Sequence, residues 1–321
     1  MKNTIPVAFS FDDNFTLPAW VAVKSLIDNA ARQTRYHIFI MYSSLSEENI
    51  ALFSALANEH AEITFLKIDN RRFDNAPKSV AWPYEVYYRL IIPELIPQYD
   101  KVIYSDVDVM FKGDLSALYN QDFNNFQIGA VAAERTDELN GVHQHFPEYI
   151  NDLIYFSGLI VFNNKKCRED KIVDRFFENM RRYKNRLKMF DLEVMNLSCD
   201  KIKPVGLEYC VLENLYYEKY QTTAEYKFLR NVYSDAEIDA AVEKPIIVHY
   251  AGAIVKMWKK IKPAADYYAY VSRSPYFDDY KKKRLKKKIL RLFNPIWYIL
   301  SRVMPVKNYR KKFRNILRGN Y

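Results

Sequence analysis

Two carboxylates stand two residues apart at Asp106 and Asp108, directly after the β-forming run Val102-Ile103-Tyr104. In an extended chain, residues i and i+2 share a face, so both acids point into one space while Val107 and Val109 anchor the other side. Like charges this close repel, and a cation between them, or between them and a bound phosphate, removes the repulsion. A solvated acidic turn has the same Asp-x-Asp spelling. The apolar strand leading in and Gly113-Asp114-Leu115 leading out favour a site.

Two further strand ends carry related chemistry. Residues 5–11 run into Asp12, Asp13 and Asn14, and residues 246–250 include His249 and are followed by Gly252 and Lys256. A hard cation accepts carboxylate oxygens, and one imidazole shifts the preference to Mn²⁺, with Mg²⁺ the other choice. Lys256 would offset phosphate charge, and Gly252 would let backbone approach a phosphate closely. The ligand implied is a diphosphate, with a nucleoside near Asp12 and Asn14. Taken singly, His249 reads as an ordinary strand-end histidine and Lys256 as a surface charge; repetition at three strand ends is what points to a site.

These residues need a scaffold. Residues 5–11, 36–42 and 63–68 read as strands, separated by helices at 18–30 and from Ser46, a capping residue, through Leu56. This β-α-β-α-β order predicts a doubly wound α/β sheet, whose ligands bind at the carboxyl ends of its strands. A short helix is expected at 84–95, and strands at 101–105, 128–133 and 155–163. Helices are expected at 168–183, 191–197 and 264–272. Residues 135–152, with His143 and His145, read as a flexible loop near an acceptor, and 205–230 show no clean periodicity.

Composition narrows the function classes. Seven glycines and no Gly-x-Gly-x-x-Gly or Walker pattern argue against a glycine-rich phosphate loop. Cys167, Cys199 and Cys210 suit reduced thiols inside a cell. No signal peptide or transmembrane stretch is expected. The net charge of +9 is unevenly placed: residues 281–321 hold 15 Lys and Arg and no acid, which leaves 33 bases against 39 acids elsewhere.

At this level of detail the chain resembles the retaining nucleotide-sugar glycosyltransferases of family eight, which include lipopolysaccharide galactosyl- and glucosyltransferases and glycogenin. The resemblance rests on Phe-Ser-Phe-Asp-Asp-Asn-Phe at 9–15, Tyr-Tyr-Arg-Leu at 87–90 and the run 101–109. It continues through Ser-Gly-Leu-Ile-Val-Phe-Asn at 157–163, Asp-Leu-Glu-Val-Met-Asn at 191–196 and His-Tyr-Ala-Gly with Lys-Met-Trp at 249–258. It implies a single Rossmann-like GT-A domain over residues 1–265, with a mixed, mostly parallel sheet, and a basic extension at 266–321. It implies Mn²⁺ on Asp106, Asp108 and His249, with Asp106 also touching the ribose or sugar. Ser10, Asp12 and Asn14 would hold uracil and ribose, and Gly252 and Lys256 the diphosphate. Arg89 would contact the donor sugar or its phosphates, and Asp191 would hydrogen-bond the transferred sugar.

The reaction implied is transfer of a hexose, galactose or glucose, from a UDP-sugar to a saccharide such as lipopolysaccharide core, with retention. The acceptor would attack from the leaving group's face; a double displacement would draw on Asp191 or Glu193. Three positions depart from the family pattern: Phe156 replaces an amide expected to face the sugar, Leu192 replaces a glutamine, and Ala133 replaces an aspartate beside Glu134. They suggest a changed donor or acceptor. A UDP-sugar hydrolase, or a catalytically weakened membrane-attached scaffold, is the alternative.

In the extension, Leu285, Ile289, Leu292 and Phe293 would share a helix face among Lys and Arg, and Pro295 would end that helix before Ile-Trp-Tyr-Ile-Leu at 296–300. Basic amphipathic segments with Trp suit an anionic membrane surface. Nucleic acid is not the expected partner, since the 296–300 patch has no role there; a structural cap or an oligomer contact is the other reading. The expected location is the cytoplasmic face of the cell membrane.

Overall fold

The computed structural model describes residues 3–74, 76–77, 84–138, 141–218, 224–251, 256–260 and 262–289. Gly252 and everything beyond residue 289 lie outside them. The chain forms two compact units, residues 1–253 and 254–321.

The first unit is built on a seven-stranded sheet. Its strands are β1 (Asn3–Ser10), β2 (Thr34–Tyr42), β3 (Ala61–Lys67), β4 (Lys101–Ser105), β6 (Ile128–Arg135), β7 (Leu153–Asn163) and β8 (Ile202–Val205). A second, three-stranded sheet contains β5 (Val109–Phe111), β9 (Val211–Leu212) and β10 (Ile247–His249). The large sheet runs β3-β2-β1-β4-β7-β6-β8, with β7 antiparallel to both neighbours and all other pairs parallel. This is the expected mixed, mostly parallel α/β architecture.

The helices follow local chemistry. Helix Thr16–Asp28 carries Pro18 in its first turn, where a missing N–H is harmless, and buries Trp20, Val23, Leu26 and Ile27. Helix Glu47–Ser54 is capped by Ser46, whose Oγ accepts from the Asn49 amide, and buries Phe53. Residues 84–95 depart from the expected helix: Tyr84–Ile91 is a 3₁₀ helix with one α-turn after it, Ile92–Leu95. Pro93 has no N–H to return to the Arg89 carbonyl, so a continuous α-ladder is impossible. The helix expected at 168–183 is broken at Lys171, whose φ is 53°, into Asn164–Glu169 and Ile172–Arg182. The described residues between 205 and 230 form elements of two to six residues, too short to show a period.

Two features of topology set up the site. The chain leaves β1 toward β2 and β3, then returns to place β4 on the other side of β1. That reversal opens a crevice at the carboxyl ends of β1 and β4. Strand β7 is irregular at the same level: its register with β6 shifts between the pairs Ala130–Ile160 and Ala132–Tyr155. A bulge re-aims the chain next to such sites, and here residues 156–159 turn toward β4, where the Asp106 amide donates to the Gly158 carbonyl at 2.8 Å.

Candidate active site

Asp106 and Asp108 sit in a bend between β4 and β5, not on an extended strand, so the acidic pair straddles the junction of the two sheets. Val107 and Val109 are buried on either side of Asp108 and pin it. β10 lies antiparallel to β5 with His249 opposite Val109, and the Tyr250 amide donates to the Asp108 carbonyl at 2.8 Å. The ladder therefore delivers His249 to the acids: Nε2 is 3.2 Å from Asp108 Oδ1 and 3.6 Å from Asp106 Oδ2. One ligand atom from each of the three residues lies within 4.8 Å of the others.

The geometry suits a hard divalent cation. Two carboxylates and one imidazole converge, and Gly158 supplies the clearance: a Cβ there would stand 2.4 Å from His249 Cε1 and 3.2 Å from Asp106 Oδ2. Burial alone would push the His249 imidazole down, but the Asp108 carboxylate beside it holds it well above its ordinary range. In the metal-free chain, an imidazolium proton supplies the positive charge that the two acids require.

Behind the acids lies a second layer of charge. Arg89 is buried; its Nη2 donates to Asp106 Oδ1 at 2.7 Å and its Nη1 to the Ser157 carbonyl at 2.6 Å. Nη1 is also 3.1 Å from Asp191 Oδ2, an oxygen with no hydrogen-bond donor aligned on it. Nε donates to the Val86 carbonyl, and the guanidinium carbon stands 4.3 Å from the Tyr104 ring centre. Burial works against the guanidinium charge, yet Asp106 and Asp191 hold it protonated. Burial pushes the Asp191 carboxyl up to about 6; Arg89 opposes this and Asp106 adds to it. Asp191 is presented by a turn in which Phe190 has φ 45°, a left-handed conformation that a bulky residue adopts only when held there.

Glu193, the other acid considered for catalysis, is fully buried and committed. Oε2 accepts from the Lys188 and Met189 amides at 2.6 and 2.8 Å, and Oε1 lies 2.8 Å from His145 Nδ1. It clamps the turn that presents Asp191. Glu134 does the same for the neighbouring segment, accepting from the Val142 and His143 amides and lying 3.3 Å from His143 Nδ1. The segment expected to be a flexible loop is thus tied by two buried acids, and Phe146 within it belongs to the core.

At the end of β1, Ser10 Oγ donates to the Glu85 carbonyl and lies 3.0 Å from Tyr104 Oη, which donates to Asp106 Oδ1 at 2.9 Å. Asp12 and Asn14 bond to each other, with Nδ2 to Oδ2 at 2.8 Å. The structure thus gathers Ser10, Arg89, Asp106, Asp108, Asp191 and His249 into one contact network. Lys256 belongs to the second unit, where it precedes the short helix Met257–Lys259 with Nζ 5.9 Å from the Trp258 ring centre. Of the departures, Phe156 is half-buried with its ring edge-on to His143 at 5.5 Å, and Leu192 and Ala133 are buried. Sequence reasoning missed Tyr104, which looked like one more β-former, and Cys210, which looked like an odd thiol. Cys210 Sγ lies 3.5 Å from His249 Nδ1.

Comparison with known proteins fits this geometry. The model for glycosyl transferase family 8 matches residues 6–262, most of the chain and every site residue above. The chain belongs to glycosyl transferase family 8. It is 25% identical over 295 residues to a lipopolysaccharide 1,2-glucosyltransferase of Escherichia coli, covering 89% of this chain and 83% of that one. Among solved structures, this family-8 chain shares its fold with the bifunctional glycosyltransferase WbbM at a TM-score of 0.69 and 23% identity. That match covers 89% of this chain but about half, 52%, of WbbM. It likewise shares its fold with the galactosyltransferase LgtC, solved with donor and acceptor sugar analogues, at a TM-score of 0.66 and 20% identity over 88% and 96% of the two chains. As a family-8 member the chain is a glycosyltransferase with a GT-A fold, and the Asp106–Asp108–His249 group is its candidate metal centre.

Proposed function

We propose that this glycosyltransferase is a retaining, Mn²⁺-dependent hexosyltransferase. It moves glucose or galactose from a UDP-sugar to a saccharide of lipopolysaccharide core or a similar surface glycan. The observation that carries the reading is the convergence of Asp106, Asp108 and His249 at the crevice where the strand order reverses. The activities of the relatives, a lipopolysaccharide glucosyltransferase and a galactosyltransferase, support the substrate class.

A divalent ion held by Asp106, Asp108 and His249 would neutralise the diphosphate as it leaves. Ser10, Asp12 and Asn14 hold uracil and ribose, and Gly252 and Lys256 are assigned to the diphosphate by the family motif. Arg89 acts as a positioning residue, because its Nε, Nη1 and Nη2 donate to Val86, Ser157 and Asp106 and its charge is paired with Asp191 as well. Asp191 takes a hydroxyl of the transferred sugar. The acceptor oxygen bonds to the anomeric carbon as the bond to UDP breaks on the same face, and its proton passes to the departing phosphate oxygen. The commitment of both Glu193 oxygens, and the pairing of Asp191 with Arg89, favour this route over a covalent sugar–enzyme intermediate.

The second unit supports a membrane location. In the helix at 277–289, Leu285 and Ile289 lie one turn apart, are 59% and 45% exposed, and flank Lys286–Lys288, with Lys281–Arg284 before them. An exposed apolar pair set among cations suits an anionic lipid surface on the cytoplasmic side. Among the described residues no helix is long and apolar enough to cross a membrane.

The test is UDP release from UDP-glucose and UDP-galactose with Mn²⁺, with and without a lipid-linked glycan fraction. Release that requires the acceptor, and a product with a retained anomeric bond, supports the proposal. Acceptor-independent release marks a hydrolase, and donor binding without turnover marks a scaffold. Cosedimentation with anionic liposomes, unaffected by deleting residues 281–321, would overturn the membrane assignment.

A further inference from the structure

A histidine offered to a metal must be neutral, with its lone pair on the ligating nitrogen and its proton on the other. In His249 the nitrogen facing the acids is Nε2, at 3.2 Å from Asp108 and 3.6 Å from Asp106. The proton therefore belongs on Nδ1, and Nδ1 needs a partner in a fully packed place. The neighbour at hand is Cys210 Sγ, at 3.5 Å. Gly158 covers the Cε1–Nδ1 edge of the ring, so there is no room for water or another side chain from that side.

Cys210 is held where it is by backbone. It caps the 3₁₀ turn Leu207–Tyr209, with its amide donating to the Leu207 carbonyl at 2.9 Å, and it immediately precedes β9. β9 pairs in parallel with β10, Leu212 opposite His249 and Val211 opposite Val248. The thiol is buried and unoxidised.

We infer that Cys210 is a positioning residue for the metal ligand: its sulfur accepts the Nδ1–H of His249 and so presents Nε2 as the free donor toward Asp106 and Asp108. Metal-bound histidines ordinarily give this second proton to a carboxylate, a carbonyl or water. A thiol is a weaker, larger acceptor. It fixes the tautomer and ring angle without adding a third anion to a site that already holds two. The inference rests on the proposed metal site.

The test compares Mn²⁺ dissociation constants of the full chain, read from the free-ion electron paramagnetic resonance signal, for wild type, Cys210→Ser and Cys210→Ala. Loss of an outer-shell partner costs about tenfold to a hundredfold in metal affinity, so Cys210→Ala should weaken binding by at least about tenfold. Cys210→Ser, which keeps an acceptor, should stay close to wild type. Rescue by serine but not by valine is the result a purely structural role would not give, since valine fills the sulfur's space at least as well as serine yet offers no acceptor. If Cys210→Ala fails to fold, Cys210→Val fills the space without an acceptor and should show the same loss. Equal affinity in all three chains, or equal loss in serine and alanine, overturns the inference. Wild type that takes no Mn²⁺, with Asp108→Ala as the control, overturns the metal site itself and the inference with it.

Discussion

Gly158 and His249 are in contact so close that the smallest side chain at 158 would overlap the imidazole. A Cβ there would lie 2.4 Å from Cε1 and 2.9 Å from Nδ1. The glycine makes room for the ring where β7 bulges toward β4. Gly158→Ala should displace His249, because overpacking of this kind costs about 1–3 kcal/mol and is relieved by movement of the neighbour. Mn²⁺ affinity should fall at least about tenfold, the scale of a disturbed outer-shell support of a metal ligand. Titration of the purified variant checks this, and unchanged affinity would show that the ring can yield without leaving the site.

The two acids differ in what they support besides the ion. Asp106 also receives Arg89 and Tyr104, whereas Asp108 faces His249. Both Asp106→Ala and Asp108→Ala should abolish metal-dependent UDP release. Only Asp106→Ala should also destabilise the fold, by about 3 kcal/mol, since it removes one of the two carboxylates that compensate a buried guanidinium. Chemical denaturation of the two variants, metal-free, separates these outcomes.

Metal binding should depend on pH through His249. The Asp108 carboxylate raises the imidazole's affinity for a proton, and an incoming ion must displace that proton. Mn²⁺ affinity should therefore increase as pH rises, by up to about tenfold per pH unit below the raised pKa, and one proton should be released per ion bound. Calorimetry in buffers of different ionisation enthalpy measures that proton; a pH-independent affinity between 6 and 8 would contradict it.

Asp191 gives a stability signature of opposite origin. Its folded carboxyl titrates near 6, above the ordinary 3.8, because burial disfavours the anion. The folded chain thus holds a proton that the unfolded chain releases. The favourable contribution is complete below about pH 4 and is lost as pH rises through about 6. Asp191→Asn should flatten that part of the stability profile, by on the order of 3 kcal/mol across the window. Urea denaturation of wild type and variant at pH 4.5 and 7 reads the difference.

How much of this was legible in the sequence varies by residue. Strands β1 to β3 and the two helices between them followed from apolar periodicity and the Ser46 cap, because each element is long enough to show its period. Asp106, Asp108 and His249 stood out because they end apolar runs. The bend that carries the acids was not foreseen, since i, i+2 spacing fits a strand and a bend equally. Glu193 looked like a catalytic carboxylate by its place beside Asp191. Its real occupation, with two amides and His145, is set by a turn at Phe190 whose left-handed backbone no propensity suggests. Tyr104 and Cys210 were not legible because a tyrosine in a β-forming run and a lone thiol look ordinary until Ser10 and Arg89, or His249, are brought against them from distant parts of the chain.

The proposed metal ligands are drawn from both sides of a long gap, with His249 and Asp108 141 positions apart. An ion that binds all three acts as a staple across that span, joining the start of the small sheet to its last strand. Fraying of β10, three residues long, would unmake the ion's coordination at once. Occupancy and the integrity of the C-terminal third of this unit are therefore linked: whatever energy the ion gains on binding is also spent against local opening. A saturating ion should slow amide exchange in β5, β9 and β10 more than in β2 or β3, and the cation would then be a clasp on the small sheet as well as a reagent.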